Sequence, residues 1–210
     1  MAQRHMLSLN STSPCKPKPA CRPSSLPGAL VAVVLICSFF ISELRAAEPE
    51  LPEYKLKAGF LYNFAKFVTW PANAFATPQM PITIGVLGVD PFGPVLPRIL
   101  QSKTVNGRPL EIQYFSRVED LKHCHVLFIS RSEKDRYPAI LASIQGRSLL
   151  TVSEIERFAH NGGMINLVVV QESVRFEINL QAAERAGLQV SSKLWGLGTL
   201  VKGGPAKPEK

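Results

Sequence analysis

The sequence predicts an α/β fold: one three-layer domain with a mostly parallel central sheet and an antiparallel hairpin near its C-terminal end. Two observations point to the parallel sheet. First, Ile82–Leu87 (ITIGVL), His125–Ile129 (HVLFI) and Ile165–Val170 (INLVVV) are short apolar runs rich in β-branched residues, the composition of strands buried on both faces. Second, segments with helical patterning lie between them, and strands alternating with helices build parallel sheets covered on both sides. The hairpin follows from a third observation. Gln171-Glu172-Ser173 is too short for a crossover helix, so Ile165–Val170 and Val174–Leu180 must run antiparallel.

The elements follow in order. Leu56, Phe60, Phe64 and Phe67 recur at the spacing of one helical face, with Lys55, Lys57, Asn63 and Lys66 mostly elsewhere, so Tyr54–Phe67 is expected to be an amphipathic helix. Pro71 ends it, lacking the N–H a helix would use. After the first buried strand come a helix at Pro94–Gln101, an Asn106-Gly107 hairpin turn and the alternating strand Leu110–Phe115. Asp135–Gln145 and Ser153–His160 read as helices around a short strand at Ser148–Val152. Ser153 and Glu156 have capping-box spacing, and Asn161-Gly162-Gly163 supplies the stop. Val174, Phe176, Ile178 and Leu180 alternate with Arg175, Glu177 and Asn179, a core face against a polar one. Gln181–Ala186 and Leu194–Leu200 are short helix candidates. Residues 202–210 carry too little apolar surface to fold and are expected to form a loose tail.

The formal charge of +8 raises nucleic acid as a partner, and its distribution argues against one. Arg4, Lys16, Lys18, Arg22 and Arg45 precede residue 48. Removing those five from 24 basic residues, and Glu43 from 16 acidic ones, leaves 19 against 15, with no dense cluster to neutralise phosphates. The apolar run Ala29–Ile41, preceded by basic, Pro-rich sequence, has the layout of a secretory leader. It is shorter than the ~20 apolar residues of a spanning helix, so residues 1–47 are expected to be a cleaved signal peptide and 48–201 the periplasmic domain, with a retained N-terminal anchor as the alternative. Cys15, Cys21 and Cys37 fall before the cut and Cys124 alone follows it, which excludes an intramolecular disulfide in the mature protein.

Catalytic patterns are missing. Gly85, Gly88 and Gly93 are not spaced as a dinucleotide or phosphate loop, and the chain has no G-x-S-x-G, H-E-x-x-H or C-x-x-C. His123-Cys124-His125 alternates across a strand and supplies at most two ligands on one side, with His160 the only other mature histidine. No metal, cofactor or enzymatic activity is expected, and Cys124 reads as a small buried hydrophobe. Trp70 and Trp195 each stand beside a Pro or Gly break, as core anchors or as binding surface. A pocket for a small solute is the competing expectation, at the strand ends near Gly88–Gly93 and Ser130–Arg131.

Two long motifs, Lys55–Pro71 (KLKAGFLYNFAKFVTWP) and Arg175–Leu194 (RFEINLQAAERAGLQVSSKL), together with Ile82–Gly88 and Asn161-Gly162-Gly163, resemble the YfiR/HmsC-like family of periplasmic regulators over about Tyr54–Val201. The resemblance implies a non-enzymatic, often dimeric domain that represses an inner-membrane diguanylate cyclase or another membrane sensor by contact. An outer-membrane lipoprotein is implied as a second partner. The lone Cys124 departs from members with cysteine pairs. The partner-binding residues expected on this reading are Lys66, Trp70, Arg175, Glu177, Asn179 and Lys193.

Overall fold

The computed structural model describes residues 52–204. The expected leader, and the tail beyond Gly204, lie outside the described residues. Helix α1 spans Pro52–Phe67 and buries Lys57, Ala58, Leu61, Phe64 and Ala65. The expected stripe is therefore turned by about one residue: Phe64 is buried, but Leu56 is 54% exposed and Lys57 only 1%. Phe60 and Phe64 both meet the Phe176 ring, at 5.3 Å between centroids. A buried phenylalanine of this kind contributes roughly 1.5–3 kcal/mol, so these rings fix the helix on the sheet. The helix ends where the chain turns into β1 (Val68–Thr69), which pairs antiparallel with β9 (Gln189–Val190).

The main sheet contains β2 (Ile82–Leu87), β3 (Thr104–Val105), β4 (Arg108–Phe115), β5 (Val126–Ile129), β6 (Leu150–Ser153), β7 (Ile165–Val170), β8 (Ser173–Ile178) and β10 (Thr199–Leu200). Its order is β10-β8-β7-β6-β5-β2-β4-β3. Pairing is parallel from β4 through β7 and between β8 and β10; β7–β8 and β3–β4 are antiparallel. The Asn106-Gly107 turn forms as expected, both residues at positive φ (51° and 77°), which matches the strand twist of a two-residue hairpin. The β7–β8 turn is equally tight, with Val170 opposite Ser173, and places Gln171 and Glu172 at φ 48° and 62°.

Alternation along the buried strands feeds two apolar layers. Val126 and Phe128 face the core formed with α1, α2 (Val95–Leu100), α4 (Leu180–Arg185) and α5 (Ser192–Trp195). Leu127 and Ile129 face the one formed with α3 (Tyr137–Ser143). The fold is thus an α/β domain with a mostly parallel sheet and a C-terminal antiparallel pair.

Three expectations change. The expected helix over Ser153–His160 does not form: Ser153 ends β6 and the residues after it run through turns. The Ser153 hydroxyl accepts from the Ile155 N–H at 3.1 Å and donates to the Ile129 carbonyl at 2.7 Å, so it serves a local turn and the sheet, while Glu156 stays exposed. Leu194–Leu200 divides into the end of α5 and strand β10, because the chain gains backbone pairing along β8. The start of the expected loose tail is fixed: after Val201, whose N–H donates to the Ile178 carbonyl at 2.9 Å, Gly203 is buried against Asn179, where a Cβ would come within 2.1 Å of its amide nitrogen.

Candidate binding cleft

Because β2, β5 and β6 are parallel, the loops leaving their C-terminal ends gather at one edge, where ligands bind in open α/β sheets. Gly88 follows β2 at φ +91°, and a Cβ there would lie 2.4 Å from the Ser132 hydroxyl of the next loop. A side chain would therefore force the loops apart. Val89 N–H donates to that hydroxyl at 3.0 Å, and Glu133, 4% exposed, pairs with Arg136 at 2.6 Å.

The first turns of α1 cover this edge. The Lys57 ammonium forms ion pairs with Glu154 and Glu53, and the Lys57 and Glu154 side chains are 1% and 3% exposed. Tyr54 donates to the Glu154 carboxylate at 3.2 and 3.3 Å. Its phenol is pushed up to about 12, first by burial and then by the Glu154 charge, so it stays a proton donor at neutral pH. Every strong partner in this group is supplied by the protein, which makes it a clamp between helix and sheet.

Beside the clamp a cleft of about 730 Å³ opens toward β7 and β8. Asn166, 1% exposed, donates through Nδ2 to Glu177 Oε2 at 3.1 Å, and His160 Nε2 lies 3.7 Å from Glu177 Oε1. Asn166 Oδ1 has no hydrogen-bond partner among the described residues. Arg131, 69% exposed and 3.9 Å from Glu154, and Arg157 line the same cleft. A larger groove of about 800 Å³ lies between α3 and α4. Of its polar groups, Arg147 donates to the Leu121 and Lys122 carbonyls, and the Thr151 hydroxyl accepts from Met164 N–H.

The family model described as YfiR/HmsC-like matches residues 54–199, from the clamp tyrosine to the outer strand of the sheet. The chain belongs to the YfiR/HmsC-like family. No curated protein matches it significantly. The family is regulatory rather than catalytic and fits a periplasmic regulator of cyclic di-GMP signalling. Among the described residues no helix is long and apolar enough to cross a membrane.

In this YfiR/HmsC-like domain the expected partner-binding residues fall into separate groups. Arg175 is exposed and Glu177 half-buried on the outer face of β8, and Glu177 stands opposite Asn166. Lys66 and Lys193 are exposed near the exit of α1, where Ser191 N–H donates to the Phe67 carbonyl at 2.9 Å. Two residues are buried instead of presented. Trp70 is 8% exposed, packs on Phe75 and His125, and donates from Nε1 to the His125 carbonyl at 3.2 Å. Asn179 is fully buried: its Oδ1 caps α4 by accepting from Ala182 N–H at 3.0 Å, and its Nδ2 donates to the Ala159 carbonyl at 2.9 Å. Trp70 thus takes the core-anchor alternative and not the partner-binding one, and Asn179 leaves the polar face that strand alternation assigns it; each meets its partner across the tertiary fold.

His125 is buried. Its Nδ1 accepts from Thr83 N–H at 3.1 Å and its Nε2 faces the Ala74 carbonyl at 3.2 Å, which fixes the Nε2–H tautomer. Burial, first of all, holds it below the ordinary histidine range. Cys124 is 8% exposed with its thiol pushed up to about 12 by burial, the state of a packing residue. Lys57, Glu154 and Asn166 carry no distinguishing mark in the sequence. The one available signal was a lysine beside the apolar stripe of α1.

Proposed function

We propose that this protein is a periplasmic regulator that represses an inner-membrane diguanylate cyclase by touching its periplasmic portion, keeping cyclic di-GMP and biofilm formation low. The observation that carries the reading is the family match across residues 54–199. Export through a leader cleaved near Ala47, self-association and sequestration by an outer-membrane lipoprotein belong to the same reading. The surface around Lys193 supports contact: Trp195, Leu197 and Leu200 are 38%, 77% and 51% exposed, and aromatic anchors dominate protein interfaces. Trp195 replaces the buried Trp70 as the proposed anchor.

Deletion of the gene raises cyclic di-GMP, and reintroduction of the wild-type gene lowers it again. Trp195→Ala weakens the purified complex by roughly 2 kcal/mol, about thirtyfold, with an unchanged circular dichroism spectrum. Unaltered cyclic di-GMP in the deletion strain sinks the regulatory reading. A second reading, a small-solute-binding domain, is favoured by the unpartnered Asn166 oxygen in the cleft.

A further inference from the structure

Asn166 is held in one orientation. Its Nδ2 donates to Glu177 Oε2 at 3.1 Å, and a flipped amide would set Oδ1 against the carboxylate, acceptor against acceptor. Oδ1 therefore points away as a lone acceptor, in a residue 1% exposed that lines the cleft. A buried acceptor without a donor is unfavourable, so the position calls for an N–H or O–H from a bound group. Glu177, whose carboxylate accepts from that amide, places negative charge beside it. The inner wall thus suits an ammonium group.

Other residues of the lining have the reverse character. Arg131, Lys134 and Arg157 are exposed cations lining the same cleft, and the side chains of Lys134 and Arg157 make no hydrogen bond or ion pair among the described residues. Lys57 lines it too, but its charge is matched by Glu154 and Glu53. A bare ammonium leaves the exposed cations Arg131, Lys134 and Arg157 without a counter-charge from the ligand, whereas one attached to an anionic group complements both sets of residues. We propose that the cleft binds a small zwitterion, its ammonium group on Asn166 Oδ1 and Glu177 and its carboxylate or phosphate on Arg131 and Arg157. This site goes beyond the regulatory reading and stands without it.

The test is titration of the 15N-labelled domain at pH 7, following backbone and Asn side-chain amide resonances. The probes are 5-aminovalerate and O-phosphoethanolamine, with n-pentylamine and valerate as single-pole controls. At least one zwitterion is expected to saturate and to move the Asn166 amide, with each control at least tenfold weaker; the tighter of the two identifies the anionic group. Asn166→Leu is expected to weaken binding at least tenfold. Glu177→Gln keeps an oxygen for the Asn166 amide, removes only the charge, and is expected to do the same, which covers the case of a misfolded leucine variant. Failure of both zwitterions to saturate leaves Oδ1 to a water molecule and overturns the proposal. So does n-pentylamine binding as tightly as the zwitterions, or undiminished binding in a folded Glu177→Gln variant. None of these outcomes bears on cyclase repression, which the deletion strain tests separately.

Discussion

Lys57 carries its charge to a position 1% exposed because Glu154 and Glu53 meet it there. Removing one partner of a buried pair strands the other, a loss of about 3–5 kcal/mol, whereas an apolar pair of similar volume is close to neutral. Lys57→Met is therefore expected to lose about that much stability in urea denaturation, and Lys57→Met with Glu154→Leu to regain most of it. Equal instability of the single and double variants would deny the pairing. His125 sets a pH dependence of definite sign. Its Nδ1 must remain unprotonated to accept from Thr83 N–H, and its folded value lies below the 6.5 of a free histidine. The unfolded chain then binds the proton more readily, so stability rises with pH. The contribution is fully present above 6.5 and is lost as pH falls through the window between 6.5 and the folded value. Urea midpoints compared at pH 7.5 and pH 5 check this, with His125→Gln flattening the dependence.

At the scale of elements, the turn after β6 separates a local sequence signal from the bonds actually made. Ser153 and Glu156 have the spacing of a capping box, yet the hydroxyl serves Ile155 N–H and the Ile129 carbonyl, and no helix follows. Ser153→Ala leaves two buried backbone groups short of a partner and is expected to cost about 1–3 kcal/mol. Glu156→Ala, on an exposed side chain, stays within about 0.5 kcal/mol. A large Glu156 effect in thermal melts would restore the capping box. The opening helix teaches a related lesson. Its aromatic positions correctly announce a helix, but it packs against β8, α2 and α5 together. The buried stripe is consequently broader than one face and includes Lys57, whose partner lies 97 residues away.

For the whole molecule, β10 closes the β8 side of the sheet with two residues. Exposed strand edges template pairing with another chain. Truncation after Gly198 uncovers β8 and is expected to give concentration-dependent association in sedimentation velocity; truncation after Gly204 is expected to leave the protein unchanged. A monodisperse shorter form would mean that α1 and α5 already protect the edge.

Fold class is legible in the chain alone, because β-branched runs and helical spacing are local consequences of backbone geometry. Equally legible there are the Asn106-Gly107 hairpin, the β7–β8 reversal and family membership, since these rest on residues adjacent in the chain. Tertiary structure alone decided the orientation of α1, the burial of Trp70 and Asn179, the Lys57–Glu154 clamp and the lone Asn166 oxygen. Each depends on a partner distant in sequence, and the cost of burying a polar or charged group is settled only by what faces it across the fold.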